Sequence, residues 1–268
     1  MARRILVIGH SHVGSLPGAI WNDEHRWYNL KFPAEEVAFD FCIKGCAKTH
    51  EILSGSNSVE GSFADTITNR LSTFNPHAIW LWIGDNDIKD GSSESSYELA
   101  LRIFNTAATL VHRDSASASF ISIIQILPRY EGARGDIVSY NRRAEEVNKY
   151  VLAFCKDAGP YIHFALHRFL FPGYSRLSYR QGKNRFDRRG VHLNRFGIDK
   201  LCYRLRPAVQ LALDFLRRPS GAPAPVSTRR RFRQDADTTC LPNRGLVVVL
   251  TSPIQFMLGC CPPFFGVI

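Results

Sequence analysis

Three short polar segments hold the residues through which this sequence could do chemistry. The first, Gly9-His10-Ser11-His12-Val13-Gly14, follows an apolar run. It sets a serine just past the carboxyl end of a candidate strand, where open α/β sheets assemble their sites. Ser11 there can act as a nucleophile if a base removes its proton, or can simply cap a helix. The second, Ile83-Gly84-Asp85-Asn86-Asp87, pairs a turn-forming glycine with an amide, Asn86, able to donate to a developing oxyanion; taken alone it is a polar turn. Asp85 and Asp87 have no partner pattern for a two-carboxylate glycosidase mechanism. The third, Gly190-Val191-His192-Leu193-Asn194, sets a histidine on a loop before a long helical pattern. His192 can serve as a general base, or be one more surface or core histidine. His12, beside Ser11, is read as lining a cleft or packing, since adjacent side chains on a turn seldom converge.

Positioning these segments requires a frame, and the apolar pattern supplies one. Ile5 to Ile8, Val37 to Cys42, Ala78 to Ile83 and Phe120 to Leu127 read as buried parallel strands, with Tyr161 to Ala165 a weaker fifth. Helical spacing fills the gaps at Phe63 to Phe74, Glu94 to His112, Ile137 to Cys155 and Arg195 to Arg217. Strands alternating with helices predict a three-layer α/β/α sandwich around a parallel sheet of about five strands. Trp80 and Trp82 alternate along the third strand and are assigned to its core or sheet faces.

A chain of 268 residues, 45% hydrophobic, is long enough to bury a substantial core. Its net charge of +10 leaves nucleic-acid binding open without favouring it over a solvated basic exterior. The 7 cysteines form no C-x-x-C pair or zinc spacing, and the apolar run after Met-Ala-Arg-Arg is too short for a signal peptide. The expectation is a cytoplasmic or otherwise intracellular protein. After residue 217 the composition changes to Pro, Ala and Ser, then an arginine run. The domain is therefore placed at 1–217, with a disordered linker and tail at 218–268. Residues Gly245 to Ile268 carry no charge, but Pro253, Pro262 and Pro263 interrupt any helix, so no membrane anchor is expected.

Taken in order, the segments resemble the SGNH (GDSL-like) hydrolase superfamily: Gly9-His10-Ser11 its first block, Gly84-Asp85-Asn86-Asp87 its Gly-x-Asn-Asp block and Gly190 to Asn194 its histidine block, over about residues 3 to 217. Gly45, in Ile43-Lys44-Gly45-Cys46, resembles the glycine of its second block. The resemblance implies a flavodoxin-like fold and a serine esterase without metal or organic cofactor, acting on small acyl or acetyl esters. In that reading Ser11 is the nucleophile and His192 the base, with an oxyanion hole from the Ser11 and Gly45 N–H groups and the Asn86 amide. Tyr140, Asn141, Pro128 and Arg129 also look like family features, structural or at the rim, with Arg129 a contact for an anionic substrate. The blocks are further similar to those of animal and retrotransposon-associated members, which suggests a mobile-element origin.

Two positions depart from the family. His10 stands where an aspartate outside the triad is usual. More seriously, Arg189 stands where the triad acid is expected, three residues before His192. An acid there fixes the imidazole tautomer and supports its charge, whereas an arginine disfavours protonation. Asp187 is the nearby carboxylate that could substitute, and a Ser-His dyad is the other route. Loss of the acid also leaves open a catalytically inactive SGNH-fold module that binds without turnover.

Overall fold

The faces of the first strand sort the interior into two halves. In β1 (Arg3–Gly9), Ile5 and Val7 point into one hydrophobic cluster and Leu6 and Ile8 into another. This follows from the two-residue period of a strand buried on both faces. The computed structural model describes residues 1–53, 61–89, 93–112, 118–130, 133, 135–159, 161–165 and 183–217. Within these, β1 is followed by a short helix α1 (Pro17–Ile20), then β2 (Val37–Ile43), α2 (Phe63–Phe74), β3 (Ala78–Trp82), α3 (Asp85–Lys89), α4 (Ser96–His112), β4 (Phe120–Ile124), α5 (Ile137–Asp157), β5 (Ile162–Ala165) and α6 (Arg195–Leu216).

The 5 strands form one parallel sheet in the order β2-β1-β3-β4-β5. Apolar stripes of α2, α4 and α5 cover one face with Ile67, Leu71, Ile103, Leu110, Val147 and Val151. The other face is covered by α1 and by α6, through Ile20, Leu201, Leu205, Val209 and Leu213, packed on Trp80, Trp82 and Phe120. The expected three-layer α/β/α architecture is therefore what forms. The fourth strand ends at Ile124 rather than Leu127, at its last pairing with β5, Ile124 to Ala165. Helices α1 and α3 are too short to leave a periodic signature.

Chain order reverses direction across the sheet between β1 and β3, the switch point at which open α/β sheets hold their ligands. Among the described residues no helix is long and apolar enough to cross a membrane. The tail expected at 218–268 lies outside the described residues.

Candidate active site

At the carboxyl end of β1 the chain enters a tight turn, in which His10 and Ser11 carbonyls accept from the Val13 and Gly14 N–H groups at 2.9 and 3.1 Å. The short helix that follows, Val13–Ser15, has His12 and not Ser11 as its N-cap residue, and no side chain caps it. The Ser11 hydroxyl, half-buried, makes no hydrogen bond to any described residue. A capping role for this serine is thus not what the fold uses.

Beside it, β3 leads into α3 through Gly84, whose φ of +107° and a would-be Cβ only 2.7 Å from Ile126 Cδ1 both demand glycine. This turn aims three polar residues in three directions. The Asp87 carboxylate accepts from the Thr49 N–H and hydroxyl at 3.1 and 3.0 Å and pairs with Arg102 at 3.1 Å, fastening the loop after β2. The Asn86 amide donates to the Ala47 carbonyl at 3.0 Å, which orients its second N–H while tying it to the loop that carries Gly45. Gly45 is exposed, with space around a would-be Cβ; the left-handed residue of its turn is Cys46, at φ 57°.

Asp85 turns inward and is 2% exposed. Tyr140 from α5 donates to its Oδ1 at 2.6 Å, His10 Nε2 lies 2.8 Å from its Oδ2, and His12 Nε2 lies 3.7 Å from its Oδ1. The His10 approach is close enough for an ion pair but is not aligned as a hydrogen bond, and His12 is too far for one. Burial alone would raise the Asp85 carboxyl; the imidazoles, His10 above all, outweigh it and hold the group well below the usual carboxylate range. Burial, then the Asp85 charge, pushes the Tyr140 phenol well above its ordinary value, so Tyr140 stays a donor. No local sequence pattern marks Asp85 out. Its partners come from β1 and α5, and nothing in the linear pattern links them.

The His192 loop reaches this edge from the far end of the chain. A single antiparallel bridge, Phe186 to Leu193, closes a turn in which the Asp187 N–H donates to the His192 carbonyl at 2.7 Å. The Tyr130 N–H anchors the turn through the Gly190 carbonyl at 2.9 Å. The Asp187 carboxylate accepts from the Arg189 and Val191 N–H groups at 3.1 and 3.3 Å. It caps the turn, and among the described residues no hydrogen bond joins it to the His192 ring. Burial lowers the His192 pKa, as do His12 and Arg189; Asp187 and Asp85 act against them. Arg189 thus pushes in the direction its charge predicts. His192 instead meets His12: the ring centroids are 5.3 Å apart, and His12 in turn stacks on Trp82 at 5.6 Å and 13°.

Of the two places expected for Arg129, structural or at the rim, it takes the structural one. It is 7% exposed, with its guanidinium carbon 4.0 Å from the Tyr140 ring centroid, and its backbone is held in both directions by Asn141 at 2.7 and 2.8 Å. A neighbouring cavity of about 460 Å³ is lined by Arg129 and Tyr140 together with Asp136, Arg142 and Arg143. Among the described residues, His10, His12 and Asp85 are the group that could hold a metal ion, their ligand atoms lying within 4.8 Å of one another. Two imidazoles and a carboxylate suit zinc. Here, however, the Arg129 charge already disfavours positive charge at His12 and Tyr140 occupies Asp85 Oδ1, so no metal is assigned.

The sequence matches no protein-family model and no curated protein sequence. Solved structures do share the fold. A GDSL-like lipase from Bacteroides thetaiotaomicron superposes with a TM-score of 0.54 at 13% identity, over 78% of this chain and 89% of that one. The lipase/acylhydrolase from Enterococcus faecalis gives 0.55 at 12% identity, over 78% and 95%. The aryl esterase of M. smegmatis gives 0.54 at 13%, over 78% and 98%. The likeness is one of architecture, and these bacterial structures lend no support to the expected animal or retrotransposon-associated subtype.

Proposed function

We propose that this chain is a serine esterase of the SGNH type that cleaves small acyl or acetyl esters. The observation that carries the reading is that the His192 ring, on a loop from the opposite end of the domain, lies 5.3 Å from the ring of His12 at the β1/β3 switch point, next in sequence to Ser11, whose hydroxyl is not spent on capping. The GDSL-type lipases and esterases that share the fold support it further.

Ser11 Oγ attacks the acyl carbonyl as His192 removes its proton. The tetrahedral oxyanion is met by the N–H groups of Ser11 and Gly45 and by the Asn86 N–H that Ala47 leaves available. The imidazolium then returns its proton to the leaving alkoxide, and water, activated by the same base, releases the acid and regenerates Ser11. A depressed His192 pKa keeps the base neutral near pH 7, as attack requires.

The test is labelling by a fluorophosphonate together with p-nitrophenyl acetate turnover. Ser11→Ala is expected to abolish labelling and to lower turnover by about 10³-fold or more. Absence of both in the unaltered protein would sink the esterase and favour the second reading, a non-catalytic module using the same cleft. That alternative rests on Arg189 standing in the acid's place and on Asp187 being spent on its own turn.

A further inference from the structure

A triad needs something on the far side of the base, to hold its tautomer and support its charge during attack. At position 189 that something is a cation, and Asp187, whose Oδ1 accepts from two backbone N–H groups, makes no hydrogen bond to the His192 ring among the described residues. We propose that His12, facing the Asp85 carboxylate, orients His192 in place of the missing acid; the inference rests on the esterase reading above.

The His12 ring is held on several sides. It stacks on Trp82 within 13°, meets the His10 ring edge-on at 5.0 Å and is only 5% exposed. Its Nε2 faces the Asp85 carboxylate at 3.7 Å, so the ring proton belongs on Nε2, toward the anion. That leaves the lone pair on Nδ1, and His12 Nδ1 is a buried atom with no hydrogen-bond partner among the described residues. A buried unsatisfied acceptor is destabilising, and an approaching N–H removes that cost.

His192 is placed to supply that N–H. Two imidazoles joined by an N–H···N bond of ordinary length have centroids roughly 5 Å apart, given ring atoms about 1.1 Å from each centre. The His12 and His192 centroids are 5.3 Å apart, with planes tilted by 57°. A small rotation of the less buried His192 ring closes the bond. One His192 nitrogen then donates to His12 Nδ1 and the other presents its lone pair toward Ser11. As His192 takes up the serine proton, its new charge is supported through His12 by an anion that His10 and Tyr140 keep ionised. No proton need leave His12. The other charged groups bearing on the pair are Arg129, which works against positive charge at His12, and Arg189 and Asp187, which oppose one another at His192. His12 and Asp85 are positioning residues in this scheme, since neither touches the ester.

The experiment compares His12→Gln and Asp85→Asn, each alone and combined with Arg189→Asp, using p-nitrophenyl acetate across a pH range. Both single variants are expected to lower kcat by about 10²–10⁴-fold with little change in KM. Asp85→Asn also moves the acidic limb of kcat/KM to lower pH, because it removes a charge that favours protonated His192. Arg189→Asp, which restores an acid at the usual place, recovers most of the loss in the His12→Gln background while changing the otherwise unaltered protein by less than about tenfold. A purely structural role for His12 would not be rescued from position 189.

Folded His12→Gln protein with unchanged kcat and pH profile overturns the proposal, and so does failure of Arg189→Asp to rescue it. Where either variant fails to fold, side-chain nitrogen NMR of the unaltered protein decides: His12 protonated on Nε2 with Nδ1 accepting from His192 supports the arrangement, and His12 protonated on Nδ1 overturns it. An unaltered protein lacking Ser11-dependent turnover is a failure of the esterase reading. Turnover with an indifferent His12 is a failure of this inference alone.

Discussion

His12, His163 and His77 all have pKa values below that of a free imidazole, with burial the first cause in each. For His77 the charges of Arg4 and Arg3 add to burial, and its Nδ1, which accepts from the Arg4 N–H at 3.1 Å, would lose that bond on protonation. The unfolded chain takes up protons at these sites near pH 6.5 while the folded chain resists. The stability they contribute is therefore complete above that pH and is lost as pH falls through it toward the lower folded values. Thermal midpoints are expected to hold steady from pH 8 to 7 and to drop progressively from 6.5 to 5, measured by circular dichroism. Catalysis carries the same sign: His192 must be neutral to act, so the acidic limb of kcat/KM should lie below about pH 6.5. A limb above that value would contradict the direction of the His192 shift.

At the scale of elements, the site depends on how α6 begins. Asn194 caps it, its side chain accepting from the Gly197 N–H at 3.0 Å while its amide donates to the Asn184 and Phe186 carbonyls, both at 2.9 Å. The helix start is thereby clamped to the turn at Asn184–Phe186, before the His192 loop. Gly197 makes that approach possible, since a Cβ there would lie 2.1 Å from the Arg185 carbonyl oxygen. Gly197→Ala is expected to destabilise by about 1–3 kcal/mol, as overpacking does, and to lower kcat by displacing His192. A normal Tm with full activity would show that the clamp is slack. On the opposite side of the cleft, Asp87 does the equivalent job for the Gly45 loop, joining it to α3 and α4 through Thr49 and Arg102.

For the molecule as a whole, both hydrophobic clusters draw, among the described residues, on the sheet and the helices up to α6. Phe215 and Leu216, near the end of α6, already pack against one of them. Everything the proposed chemistry uses lies between Ser11 and His192. A chain ending at residue 217 is accordingly expected to keep the Tm and esterase activity of the full chain, measured side by side. Loss of either would show that 218–268 belongs to the domain and is more than an appended tail.

The order and type of the elements were legible in the sequence because β-branched runs and helical spacing report directly on burial. Phe63–Phe74 could be read to the residue because Ser62 and Asp65 form a reciprocal cap at its start. Ser11, Gly45, Asn86 and His192 could be picked out because each sits in a short local block. What the sequence could not convey was partnership. Asp85 becomes the buried carboxylate of the site only when parallel pairing sets β1 beside β3 and α5 lays Tyr140 across their ends. Likewise, Asp187 looks free to serve His192 until the turn closes and its Oδ1 is taken by the Arg189 and Val191 N–H groups. A residue's type fixes the chemistry it can do, but which charge faces it is set by contacts between segments far apart in the chain, and only the folded structure makes those.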